Sequence, residues 1–283
     1  MLRALGVLLF IAGVVVTSTS LALSDVRANA LSARSIGLSV PAATAITAPH
    51  VQPDLVAVPV SVAAAAPVPV PALARPSTES LAQSVAQILS ASPGQVAVSL
   101  LELGGPLPQS WSLNGSVPIP AASTYKLPVL MENAELVAAG RVSNTDPICF
   151  SPDEWEVGWF SDYPVGACYS RSELAVRAAH FSDNTAGHML VQDAGGALLL
   201  NSYARAHGAT ASSFYLNNVT TSDDLAHLWM AESGGGAGGQ AAQAWLHPLL
   251  THTAFEDGIP AGVPASATVV HKTGELDPVV NDA

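Results

Sequence analysis

The stretch Ala122-Ser123-Thr124-Tyr125-Lys126 decides how the rest of the chain is read. Ten residues are Lys or Arg, and only Lys126 and Lys272 are Lys, so the chain meets its other needs for positive charge with Arg. Arg stays protonated in a protein, whereas a desolvated Lys can lose its proton and act as a base. Lys126 follows Ser123 by three residues, just ahead of an apolar, helix-like run from Leu127 to Gly140. Residues i and i+3 share a helix face, so the Lys126 amine can reach the Ser123 hydroxyl. A serine is a weak nucleophile until a neighbouring base takes its proton. Acyl-transfer chemistry requires that pairing.

The composition bounds what the rest can be. With 49% hydrophobic and 11% charged residues, a chain of 283 residues has ample material to bury a core. A net charge of -12 leaves no basic stripe for nucleic acid, and a nucleic-acid partner is excluded. Cys149 and Cys168 flank a segment rich in Trp, Asp, Glu and Gly; in an exported domain they are expected to close a disulfide, two free buried thiols being the alternative. His247 and His252 have no partners at metal-ligand spacing, so neither a metal nor another cofactor is implied.

Three regions follow in order. Residues 1–23 carry Arg3 and then an apolar run, which reads as a cleaved export signal or an uncleaved membrane anchor, with the remainder exported. Residues 24–76 are rich in Ala, Val, Ser and Pro, with Pro67-Val68-Pro69-Val70-Pro71 near the end; alternating proline removes backbone donors, and the segment is expected to be an extended tether. Residues 77–283 are the expected globular domain. It opens with an amphipathic helix (Leu81, Val85, Ile88, Leu89), followed by strands near Val96–Leu100 and Ser110–Leu113. Helices are expected over 172–180, 184–193, 198–207, 222–232 and 240–250, and a strand over 267–271 leads into Lys272. A helical run between terminal strands predicts an α/β (α+β) architecture, with a sheet made from both chain ends and an inserted all-helical lobe.

Three short motifs occur in one order: Ser123-Thr124-Tyr125-Lys126, Ser182-Asp183-Asn184 and Lys272-Thr273-Gly274. Each has a bland alternative, since Ser123, Ser182 or Asp183 could be helix caps and Thr273-Gly274 a strand-end turn. Together they resemble the penicillin-recognising serine hydrolases, most closely the class A β-lactamases. The resemblance implies a β-lactamase/transpeptidase-like fold and assigns roles by position. Ser123 is the nucleophile, Lys126 its base and Ser182 the proton relay to the leaving nitrogen. Asn184 binds the substrate's side-chain amide, and Lys272 with Thr273 and Gly274 holds its carboxylate. The backbone N–H groups of Ser123 and Glu275 form the oxyanion hole. The substrate implied is a β-lactam or a peptidoglycan-like peptide and the protein a monomer, with the membrane as the N-terminal segment's partner.

Two departures stand out. Class A enzymes carry a Glu after this Ser-Asp-Asn motif that activates the deacylating water, yet no Asp or Glu lies between Asp193 and Asp223, and Asn217 and Asn218 occupy the shortened loop. Asp223 and Asp224 are expected in the first turn of the next helix. The family also continues past Lys-Thr-Gly with two strands and a closing helix, whereas Ala283 stands nine residues after Gly274, which implies a C-terminally truncated reading frame. The functional expectation is hydrolysis of β-lactam amides through an acyl-enzyme. A penicillin-binding carboxypeptidase or esterase, or a non-catalytic cell-wall binding module, are the alternatives.

Overall fold

A computed structural model describes residues 9–12, 78–90, 94–103 and 110–283. The expected tether lies outside the described residues, as does the expected export segment apart from Leu9–Ala12. Helix α1 (Thr78–Ser90) packs against β3 (Ser110–Leu113), and Ile88, expected on its covered face, is exposed. Strand β2 (Val98–Glu102) pairs antiparallel with β3 on one side and with β1 (Leu9–Ala12) on the other. A stretch read as part of an export segment therefore supplies an edge strand.

The helical lobe is built around α2 (Lys126–Ala138). Leu127, Val129, Leu130, Met131 and Ala134 are all buried, so this helix is covered nearly all round rather than along one stripe. Its wrapping comes from α3 (Arg171–His180), α4 (Asn184–Asp193), α5 (Gly196–Ala206) and α7 (Gly239–Leu246). Gly140 ends α2 as the sequence suggests: at φ +66° it takes the left-handed position. There Gly140 N–H donates to Val137 O at 3.0 Å and Arg141 N–H to Leu136 O at 2.9 Å. Side-chain caps start three of the other helices, Ser170 for α3, Asp183 for α4 and Thr221 for α6 (Ser222–Ser233).

Asp223 and Asp224 do sit in the first turn of α6, and both also bind outward. Asp223 accepts from Ser99 and Ser112 at 2.5 and 3.0 Å, tying α6 to β2 and β3. Asp224 accepts from Ser212 Oγ at 2.6 Å and from Ala211 N at 2.9 Å. Strand β4 (Ile119–Pro120) pairs with β7 (Val219–Thr220), which brings the loop after α5 against the chain entering Ser123. Strands β5 (Pro147–Cys149) and β6 (Cys168–Ser170) place Cys149 directly opposite Cys168, and a disulfide joins them.

The strand expected over 267–271 is absent. Strand β8 begins at Thr273 (Thr273–Leu276) and pairs antiparallel with β9 (Val279–Asp282) in a hairpin. The last rung joins Lys272 to Ala283, and residues before it face no strand; His271 N instead donates to Leu250 O. β-branched residues alone do not make a strand without a neighbour to pair with. Among the described residues this hairpin shares no ladder with β1–β3, so the strands from the two chain ends stand as two separate pieces, the gap expected where the family's intervening strands are missing.

Buried His271 locks the hairpin to the preceding segment, its Nδ1 meeting Asp282 Oδ1 at 2.8 Å and its Nε2 meeting Glu256 Oε1 at 3.3 Å. Burial lowers its pKa, but the two carboxylates raise it more, and the net position is above the ordinary histidine value. A raised folded-state pKa contributes stability that is fully present below the unfolded value of about 6.5 and is lost as pH rises through the folded value. Replacing His271 with Gln should therefore cost about 3 kcal/mol at pH 5. The gap between wild-type and variant melting curves should narrow as pH rises above the ordinary histidine value and through the raised folded one; a pH-independent gap would remove the ion pair from this account.

Candidate active site

Ser123 lies in a 3-10 turn, Ala122–Tyr125, that runs directly into α2. The tight turn leaves the hydroxyl beside the first residue of the helix, and Lys126 Nζ is 2.8 Å from Ser123 Oγ. Lys126 is wholly buried, and its Nζ also lies 2.8 Å from Ser182 O and 2.7 Å from Asn184 Oδ1. Two of these three partners, a carbonyl and an amide oxygen, can only accept. The Asn184 amide orientation is fixed independently, because its Nδ2 donates to Val157 O at 2.8 Å. When Lys126 loses a proton, its remaining N–H groups are therefore committed to Ser182 O and Asn184 Oδ1. The lone pair is left facing Ser123, whose hydroxyl then becomes the donor.

Burial favours that neutral state. It pushes Lys126 down to about 7, against the opposing pull of Asp183 and Glu156. Lys272, also buried, is pushed down by burial and by Lys126; it donates to Ser182 Oγ at 2.9 Å and to Thr273 O at 2.7 Å. Ser182 is thus the link between the two lysines, with its carbonyl on one and its hydroxyl on the other. It achieves this with φ +56°, a left-handed conformation that costs a non-glycine residue about 1–2 kcal/mol. Asp183 holds the turn in place: its carboxylate accepts from Ala186 N, Phe160 N and Tyr163 Oη at 2.6–2.9 Å.

Two glycines let backbones close on the site. A Cβ on Gly274 would lie 2.8 Å from Thr124 N, 2.9 Å from Ala121 O and 3.0 Å from Ser123 N, so β8 runs hard against the turn that carries the nucleophile. Asn281 secures the same turn from β9 by donating to Pro120 O and Ala121 O. A Cβ on Gly187 would meet Lys126 Cε at 2.7 Å and Tyr125 Oη at 2.8 Å.

The structure thus brings Ser123, Lys126, Ser182, Asn184, Lys272, Thr273 and Gly274 together. Glu275 continues along β8 with an exposed side chain. Cys149 and Cys168 stand apart from the hydroxyls and close the loop that borders Asn184. Sequence reasoning missed Glu156 and His188, which adjoin Asn184; for His188 its place four residues after Asn184 on one helix face was a usable signal. It also did not single out Gly187, or Asn218 as a neighbour of the turn. Asn218, at φ +49°, donates to Ala122 O at 3.1 Å, and its Oδ1 is buried without a partner.

The chain belongs to the beta-lactamase enzyme family, whose model matches residues 80–283. Among solved structures, PBP-A is 29% identical with a TM-score of 0.66, covering 74% of this chain and 81% of that one. A point mutant of PBP-A, solved as an acyl-enzyme complex with penicillin G, matches at 29% identity over the same shares, with a TM-score of 0.67. A β-lactamase from Sphaerobacter thermophilus is 26% identical with a TM-score of 0.63, covering 71% of this chain and 80% of that one. A comparison with curated proteins finds no match. Family and fold place the chain among class A β-lactamase-like serine hydrolases.

The close approach at Gly274 sets a test that needs no substrate. Gly274→Ala must push backbone away from backbone, and overpacking of this kind costs about 1–3 kcal/mol. Thermal melts should show that loss, while Gly262→Ala, whose Cβ would meet nothing within 4 Å, should not. Equal melting temperatures for both would mean that β8 is not seated against the Ser123 turn.

Proposed function

We propose that this chain is an exported hydrolase that opens β-lactam amides through an acyl-enzyme on Ser123. The observation carrying this reading is the 2.8 Å approach of a buried, depressed Lys126 to Ser123, with Ser182 bridging to Lys272. Neutral Lys126 takes the hydroxyl proton as Ser123 Oγ bonds to the lactam carbonyl carbon. The oxyanion forms against the Ser123 and Glu275 N–H groups; an oxyanion-hole donor is typically worth about 3–4 kcal/mol. The C–N bond then breaks as Ser182 passes its proton to the departing nitrogen and takes one from the ammonium of Lys272, whose Nζ donates to Ser182 Oγ at 2.9 Å, while Lys126 keeps the proton it took from Ser123. Lys272 and Thr273 pair with the substrate carboxylate, and Asn184 holds its side-chain amide. Exposed Trp159, tilted against Phe181 and edge-on to Phe255 at centroid distances of 5.4 and 5.8 Å, offers an apolar wall next to Ser182.

Hydrolysis of the ester is the weak step. The loop after α5 has no carboxylate, and Asn218 can orient a water through its unpartnered Oδ1 but cannot take its proton. Losing a general base typically slows a step by about 10²–10⁴. The similarity to PBP-A and the missing carboxylate favour a second reading, a penicillin-binding, peptidoglycan-directed enzyme that holds its adduct. A cell-wall binding module without turnover is the non-enzymatic alternative. The disulfide supports an oxidising, extracytoplasmic location. Either cleavage or membrane anchoring of the N-terminal segment would withdraw β1 from β2. Among the described residues no helix is long and apolar enough to cross a membrane.

A chromogenic cephalosporin should give a burst of about one equivalent followed by slow turnover, and labelled penicillin should mark wild-type protein but not Ser123→Ala. Rapid linear turnover without a trapped adduct would place a competent base elsewhere, and no adduct would leave only the binding module. Because acylation needs neutral Lys126, its rate should fall as pH drops through about 7. Stopped-flow acylation between pH 5 and 9 checks this; a flat profile would remove Lys126 as the base.

A further inference from the structure

Lys272 is wholly buried, and the partners it meets there are neutral. Its Nζ bonds Ser182 Oγ at 2.9 Å and Thr273 O at 2.7 Å. A lysine ammonium carries three hydrogens and can only donate, whereas the neutral amine carries two and a lone pair. Two contacts occupy both hydrogens of the amine. The third hydrogen of an ammonium finds no further protein acceptor among the described residues.

The charged groups around Lys272 do not make up that difference. Lys126 approaches from α2 on the other side of Ser182, and two neighbouring ammonium groups oppose each other. On β9, Asp282 is engaged by His271 Nδ1 at 2.8 Å and by Ile259 N at 2.7 Å. His271 sits above the ordinary histidine value and offsets that carboxylate's charge. On β8, Glu275 carries its side chain into solvent. Burial and then Lys126 push Lys272 well below the ordinary lysine value, against the weaker pull of Asp282 and Glu275.

We propose that Lys272 rests as a neutral amine and takes one proton from solvent when a ligand carboxylate enters the pocket. This rests on the reading of Lys272 as the group that faces that carboxylate. The anion supplies both an acceptor and a compensating charge, so it favours the ammonium. By linkage, the proton on Lys272 strengthens anion binding by the same factor. The uptake also changes what Ser182 can do. An ammonium only donates, so Ser182 Oγ becomes the acceptor and its own hydrogen is freed toward the leaving nitrogen. The proton gained on binding is then the one that passes from Lys272 to Ser182 as Ser182 protonates that nitrogen, and Lys272 is again an amine. The Ser123 proton stays on Lys126, and that new ammonium favours release of the proton from Lys272.

The full chain carrying Ser123→Ala binds a β-lactam without acylation, and titration calorimetry in buffers of different ionisation enthalpy counts the protons taken up. With penicillin G, uptake between about pH 6 and 9 should climb to about one proton; with its methyl ester, which lacks the anion, it should stay near zero. Adding Lys272→Arg to Ser123→Ala fixes a permanent charge, so penicillin G should then bind without uptake. No uptake with penicillin G, or the same uptake with the ester or in the Arg variant, would overturn the proposal; persistence in the Arg variant would assign the proton to Lys126. If the Arg variant does not fold, the comparison of acid with ester decides. If penicillin G does not bind, the β-lactam reading fails, and N-acetyl-D-alanyl-D-alanine against its C-terminal amide puts the same question. In the ligand-free chain, NMR of lysine labelled with carbon-13 at Cε should show Lys272 titrating well below the ordinary value of about 10.4. Titration at that ordinary value would overturn the proposal whichever ligand binds.

Discussion

Everything at this site depends on one buried amine. A lysine with no solvent needs acceptors for every N–H it keeps, or the burial is not tolerated. Here Ser182 O and Asn184 Oδ1 supply them, which leaves Ser123 as the one partner that can exchange roles with the amine. The left-handed Ser182, the caged Asp183, the bare Gly187 and the disulfide loop over Asn184 all serve that arrangement.

The second lysine shows the same logic from the other side. Lys272 reaches the site only because β8 runs against the Ser123 turn, and β8 runs there only because Gly274 has no side chain. Asn281 on β9 then holds two carbonyls of that turn. The hairpin thus supplies an amine to the pocket and a clamp to the nucleophile's backbone. His271, one residue before Lys272, binds its base to the segment around Glu256.

Legibility in the sequence followed distance along the chain. The helices were readable because their caps and periods are local: Asn184–Asp193 was expected to the residue. The Ser123–Lys126 contact was readable because one helical turn separates them. Ser182 and Lys272 were found only because their motifs resemble a known family; no periodicity places residues 90 positions apart in one hydrogen bond. Glu156 and His188 come within 3.0 Å of each other only because of how a disulfide-closed loop folds, which no local rule orients. The strand misplaced at 267–271 failed for the same reason, since a ladder is a property of two segments. Gly274 was quoted for its motif, and its steric reason became visible only when β8 met the turn.

The burial of both lysines has a consequence for handling the protein. Apart from the chain's N-terminus, every primary amine it owns lies inside the pocket. Reagents that ordinarily decorate a protein's surface through lysine will find nothing there to react with. Coupling to an amine-reactive chip or resin would proceed through the N-terminus or else through the site itself. A small electrophile that enters the pocket would meet its only lysine targets beside Ser123, gaining selectivity from the outer surface's lack of competitors rather than from its own affinity.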